Sequence, residues 1–126
     1  MVLLTEKEID VGRLMKEAFS IESGAVVHFV GMVREEKKET GLRGLRYEAY
    51  REMAEKRLHE ILGEASARWG LKRTLLVHRL GEVPVGEASI VIAVSSPHRK
   101  EAFEACSWII DSVKQDVPIW KYEIWD

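Results

Sequence analysis

The stretch TLLVHRL-GEVPVGE-ASIVIAVS, Thr74 to Ser95, decides how the chain folds. Its first and last segments are short, apolar and rich in β-branched residues, which suits strands. The segment between them carries Pro84 and Gly86, the punctuation of a turn. Two strands joined so closely pair antiparallel, because a parallel pair needs a crossover of a dozen or more residues. The stretch is followed by Ser96, Pro97 and Glu101, which read as a cap, a proline at the first helical position and an acid in the first turn. Ala102, Phe103, Cys106, Ile109, Ile110 and Val113 then recur at helical spacing and form the expected core face. Pro118 stops the helix, and Ile119 to Trp125 reads as a final extended segment.

Upstream, Thr5 with Glu8 matches capping-box spacing, and Ile9, Leu14, Met15, Ala18 and Phe19 follow as a helical stripe. Gly24 opens the apolar run Ala25 to Val33, expected to be a strand buried on both faces. Arg34 to Arg46 is dense in charge and contains Gly41 and Gly44, so it reads as an exposed loop running into a strand near Leu45 to Tyr50. A helix over about Glu52 to Trp69 follows, with Ala54, Leu58, Ile61, Leu62, Ala65 and Trp69 inside and Gly70 as its C-cap. The order is helix, strand, strand, helix, strand, strand, helix, strand. This is an α+β protein with an antiparallel sheet and about three helices, in one domain spanning residues 1–126.

Composition narrows the function classes. The 126 residues are 46% hydrophobic and 32% charged, which is the profile of a folded globular chain. A net charge of −2 disfavours a nucleic-acid binder, which normally carries a clear positive excess. One cysteine, Cys106, cannot make an internal disulfide, and its place on an apolar helix face marks it as a small core residue. The start MVLLTEKEID lacks the basic and apolar regions of a secretory signal, and no apolar run approaches the ~20 residues of a membrane helix. No membrane association and a cytoplasmic location are therefore expected.

Few residues stand out for chemistry. SSPHR, Ser95 to Arg99, sets a histidine and an arginine at a helix start, where free N–H groups and the helix dipole favour an anion. The same five residues also make an ordinary capped helix with a solvated His98 and Arg99, and position alone leans toward that reading. Lys114 and Lys121 flank Pro118. Lys121 lies among Ile119, Trp120, Tyr122 and Trp125, and an amine desolvated by such neighbours becomes a usable nucleophile or acid/base. Two surface lysines with solvated ammonium groups give the same pattern. Arg34 ends the first long strand, where it either clamps an anion or is simply solvated. His78 and Arg79 form a second His-Arg pair, and His28 interrupts a strand. The four histidines show no zinc spacing, and there is no CxxC, GxSxG, GxGxxG or P-loop. Neither metal nor cofactor is expected.

Five segments taken together resemble the large, catalytic subunit of molybdopterin synthase. They are GAVVHFVGMVR (Gly24 to Arg34), YEAYREMAEK (Tyr47 to Lys56), HRLGEVPVGE (His78 to Glu87), SSPHRKEAFEAC (Ser95 to Cys106) and IDSVKQDVPIWKYE (Ile110 to Glu123). The last two carry most of the specificity. The resemblance implies a hammerhead-type α+β fold, a homodimer, and a small ubiquitin-like sulfur carrier at each end. The carrier's C-terminal Gly-Gly thiocarboxylate would supply two sulfurs to cyclic pyranopterin monophosphate. Residue by residue, it makes Lys114 the main catalytic amine and Lys121 its assistant at the thiocarboxylate. Arg34, His98 and Arg99 would hold the pterin phosphate, with a contribution from the neighbouring subunit allowed. Arg79 matches a further family position, and Glu123 is placed to orient a lysine. Two departures are visible: His28 stands where the family often has a small polar residue, and the family often continues past the PIWKxE segment with a tail that packs on the carrier. With the chain ending at Asp126, carrier docking is expected to be weaker or built differently. Two other readings remain open: a docking scaffold for a ubiquitin-like protein without turnover, and an unrelated small anion-binding domain using only Arg34, His98 and Arg99.

Overall fold

A computed structural model describes residues 1–126. The elements run β1 (Val2–Thr5), α1 (Val11–Leu14), β2 (Ala25–Met32), β3 (Leu42–Ala49), α2 (Arg51–Trp69), β4 (Arg73–Arg79), β5 (Gly81–Pro84), β6 (Ala88–Ser96), α3 (Arg99–Asp116) and β7 (Ile119–Trp125). They form two sheets, one of order β1-β4-β6-β2 and one of order β5-β3-β7. The α+β reading with three helices holds. The sheets differ from the single antiparallel one expected: β1 pairs parallel with β4, while β2, β4 and β6 and the whole second sheet pair antiparallel.

All nine residues of β6 are buried. It is an inner strand, flanked by β4 and β2, so its backbone is saturated on both edges. One face meets α2 and α3 through Ile90, Ile92 and Val94, which join Leu58, Ile61, Leu62, Ala102, Cys106 and Ile109 in the main core. The other face, Val91 and Ala93, is covered by Ile9 and Ala18 from the segment around α1. Full burial of a Val or Ile side chain contributes about 1.5–3 kcal/mol, so this strand organises much of the fold's stability.

Several sequence expectations change for identifiable reasons. The helix begun at Thr5 is not formed there. Residues 2–5 instead extend the sheet, with the Leu80 N–H donating to the Thr5 carbonyl at 2.7 Å. The helix shrinks to four residues capped by Asp10, whose side chain accepts from the Arg13 N–H. The apolar spacing of Ile9 and Ala18 serves to cover a sheet, and Met15 and Phe19 remain exposed. Second, β2 carries apolar side chains on both faces yet is only half-buried, because it is an edge strand. Third, Gly81 to Glu87 is more than a turn. At Gly81 (φ 81°) the chain leaves the first sheet, and β5 pairs with β3 in the second. The turn proper is left to the residues around Gly86 (φ 89°).

Helix α2 follows its expected stripe, with Ala54, Leu58, Ile61, Leu62 and Ala65 buried, Trp69 half-buried, and Gly70 as a left-handed cap. Helix α3 starts two residues later than read: His98 is the N-cap and Arg99 the first helical residue. Ser96 belongs to β6, and its hydroxyl donates to the His98 carbonyl. Pro97 disfavours a helical conformation for the residue before it, which keeps Ser96 extended. Phe103, expected inside, points outward, and Ala105 and Ser112 complete the buried face.

Gly24 lets the start of β2 touch the start of α3. A Cβ built there would lie 2.4 Å from the Pro97 carbonyl oxygen. Gly24→Ala should therefore lower stability by about 1–3 kcal/mol, the usual cost of overpacking. Urea unfolding would measure this, and an unchanged midpoint would mean that the junction relaxes freely.

Candidate functional site

The chain path sorts the candidate residues into two groups. β6 begins beside Glu87 and ends beside His98, and α3 then folds back over β6 and β2. The start and the end of α3 thus lie at opposite ends of the sheet. Arg99 and Lys114 are separated by about 22 Å of helix at 1.5 Å per residue. His98 and Arg99 occupy one end of the molecule. Lys114 occupies the other, in the last turn of α3, where a cation also suits the helix dipole.

Lys114 is joined at its end by three more of the six. Arg34 is separated from the end of β2 only by Val33, which is held there by backbone bonds from the Val33 N–H to the Glu87 carbonyl and from the Gly86 N–H to the Val33 carbonyl. Arg79 closes β4. Lys121 lies in β7 directly opposite Tyr47, and Tyr47 is in turn opposite Gly81, just past Arg79. Arg34, Arg79, Lys114 and Lys121 therefore converge on one end, and the remaining two do not.

The environments of these side chains differ. Arg34, His98, Arg99, Lys114 and Lys121 are exposed, and none of them forms an ion pair within the chain. The apolar enclosure expected around Lys121 is not supplied by this chain, since β7 is an edge strand and Trp120 and Tyr122 are themselves exposed. Glu123, on the same face of β7 as Lys121, makes no ion pair with it. Arg79 is different: its side chain is only 12% exposed and its Nη1 donates to Glu87 at 2.7 Å. Its Nε is buried without a partner. Arg79 is thus committed to fixing Glu87, on the segment whose carbonyl positions Val33 and Arg34.

Beneath this end lies His78, buried in β4. Its Nδ1 lies 2.8 Å from the Arg79 carbonyl, which accepts only, so Nδ1 carries the proton. Burial holds the imidazole below its ordinary value of 6.5, against a smaller upward pull from that hydrogen bond. Its ring packs edge-on against Tyr47, with centroids 5.1 Å apart. Tyr47 went unnoticed in the sequence, where nothing in YEAYR distinguishes it from Tyr50, which is exposed. At the other end, His98 caps α3 without a side-chain hydrogen bond, so its imidazole is not used in holding the helix.

Cys106 is buried, and burial pushes its thiol up to about 11. It is a core residue. His28 contacts the Met15 carbonyl through Nε2 at 3.1 Å, tying the α1 segment to β2. No three His, Cys, Asp or Glu side chains gather as metal ligands, and no helix is long and apolar enough to cross a membrane.

The comparisons with known proteins agree on one family. Residues 4–116 match the family model described as MoaE protein. A rice (Oryza sativa subsp. indica) protein named molybdopterin synthase catalytic subunit is 45% identical over 118 residues, covering 94% of this chain. The chain spans only 61% of that relative's length. The crystal structure of molybdopterin synthase from Staphylococcus aureus superposes with a TM-score of 0.91 at 40% identity, covering 98% of this chain and 90% of that one. A complex of subunits 1 and 2 of molybdopterin-converting factor from Helicobacter pylori superposes with a TM-score of 0.83 at 28% identity, over 97% of this chain and 83% of that one.

Two outcomes test the local chemistry. The thiol of Cys106 should resist a thiol-specific reagent in the native state and react at once in denaturant; fast native labelling would contradict its burial. His78 is a neutral buried group with a lowered pKa, so below 6.5 the unfolded chain binds the proton more readily than the folded one. Its contribution to stability is complete above 6.5 and is lost as pH falls from there toward the lowered folded value. The pH dependence of the unfolding midpoint should flatten in this window in His78→Phe, and a slope identical to that of the unaltered chain would remove His78 as its source.

Proposed function

This chain belongs to the MoaE protein family, and we propose on that footing that it is the catalytic subunit of a molybdopterin synthase, with residues 1–126 acting as one catalytic-subunit domain in the cytoplasm. Its reaction moves sulfur from the C-terminal thiocarboxylate of a small ubiquitin-like carrier to cyclic pyranopterin monophosphate, and two such transfers build the dithiolene of molybdopterin. The carrying observation is the pair of exposed, unpaired amines, Lys114 and Lys121, on either side of Pro118 at one end of the molecule. A carrier docking over β7 would provide the dry surroundings that the chain alone lacks, and the Helicobacter pylori two-subunit complex supports such a partner.

In this reading Lys121 meets the thiocarboxylate terminus of the carrier. Lys114 is the main catalytic amine, exchanging protons with the reacting groups or taking the carrier's acyl group transiently. Charge that develops as the C–S bond of the carrier breaks is stabilised by ammonium groups, and enclosure by the carrier makes that stabilisation stronger than it is in water. The substrate phosphate is held by Arg34 and by His98 and Arg99. Since the last two lie at the far end of the same copy, they come from a second copy in a homodimer. Each active site is then shared between two chains, and Arg79 serves by fixing the Glu87 segment beside Arg34.

A shared site makes an unusual demand on mixed variants. Lys114→Ala alone should fold normally and lose most activity, as should Arg99→Ala. Co-expressed, the two variants form mixed dimers in which one site has both wild-type groups, so on the order of a quarter of all sites should work. Single-turnover conversion of cyclic pyranopterin monophosphate with thiocarboxylated carrier reads this directly. No recovery in verified mixed dimers would sink the shared site. A fully active Lys114→Ala protein would sink the lysine assignment. Carrier binding without any product from the unaltered chain would favour a docking scaffold instead.

A further inference from the structure

The segment HRLGEVPVGE holds a buried group that the proposed reaction does not use. His78 is 5% exposed, lies in the first sheet, and is fixed by its hydrogen bond to the Arg79 carbonyl. Its imidazole meets only one aromatic ring, that of Tyr47, at an interplanar angle of 71°. Tyr47 belongs to the second sheet, and it is half-buried between the main core and the small cluster of Val33, Leu42 and Val83. The contact therefore joins the two sheets.

Tyr47 has two residues directly opposite it in the sheet. On the β5 side stands Gly81, which has no side chain, and on the β7 side stands Lys121. Directly opposed residues of an antiparallel pair place their Cβ atoms about 4.5–5.5 Å apart on the same face. Lys121 is thus the one side chain placed directly opposite Tyr47 in the sheet. The lysine stem, four methylenes long and on an exposed edge strand, has no ion pair to fix it. A rigid ring beside that stem restricts its rotamers, and an ordered stem is what a positioned amine requires.

We propose that Tyr47 is a positioning residue for Lys121: its ring, braced by His78 against the first sheet, orders the lysine stem and aims the amine. The proposal rests on the role of Lys121 given above, while the ordering itself is a property of the chain alone. It concerns the ring and not the hydroxyl, so phenylalanine substitutes for tyrosine and an aliphatic residue does not. Burial disfavours the protonated form of His78, which keeps the brace uncharged at neutral pH.

Two measurements test it together. In protein carrying lysine labelled with carbon-13 at the ε position, the Lys121 methylene signal is assigned by its loss in Lys121→Arg. In the unaltered chain that signal should be shifted upfield by the Tyr47 ring current. It should remain so in Tyr47→Phe and move to the position of solvated lysines in Tyr47→Leu. In single-turnover and steady-state sulfur transfer, Tyr47→Leu should lower kcat about tenfold or more with KM for the pterin nearly unchanged, and Tyr47→Phe should restore kcat. A Lys121 signal already at the solvated position in the unaltered chain overturns the proposal, and this needs no variant to fold. So does a folded Tyr47→Leu protein with normal kcat, or a Tyr47→Phe protein as impaired as Tyr47→Leu. If the unaltered chain gives no product, the functional reading fails, and the labelled-lysine spectra still decide whether Tyr47 orders Lys121.

Discussion

Burial of β6 from end to end is the constraint on which the rest depends. Nine consecutive buried residues need backbone partners on both edges and apolar cover on both faces. The edges are met by β4 and β2, and the faces by the α2–α3 layer and by the short segment around α1. Satisfying those needs fixes the direction of α3. A helix that leaves the end of β6 and must cover it has to run back along it. The distance between Arg99 and Lys114 is then set by helix length and does not depend on local details.

That geometry has a functional consequence. His98 and Arg99, suited to a phosphate, lie at the beginning of α3, and the amines suited to proton or acyl chemistry lie in its last turn (Lys114) and just beyond it (Lys121). One chain cannot bring them together without unfolding its core. In the proposed reading the site is therefore assembled between chains, with a dimer uniting the two ends and a carrier covering the exposed β7 strand. Exposure of Lys114 and Lys121 in the isolated chain is consistent with a site that is closed only by its partners.

The second sheet shows how a scaffold tunes such a site. It is small, three strands long in order and joined to the first through Gly81. The Tyr47–His78 ring pair ties it to the first sheet at the position directly opposite Lys121. Arg79 and Glu87 brace the neighbouring segment that carries Arg34. The His-Arg pair of HRLGE thus works below the surface, holding the residues that face outward.

The sequence by itself determined the elements whose signals are local: the stripe and glycine cap of α2, the apolar run of β6, the stop at Pro118, the buried Cys106, and the lysine pair with its family likeness. These depend on periodicity, φ preferences and motif spacing, which are written within a few residues of one another. Tertiary structure decided what depends on partners distant in the chain. Residues 2–5 became a strand because β4 offered a free edge, and Gly81 to Pro84 became one because β3 did. β2 came to be half-buried because it ended at a sheet edge. The same holds for the site: that His98 and Arg99 lie far from Lys114, and that Tyr47 lies beside Lys121, follows from register and helix direction, which no short stretch of sequence contains.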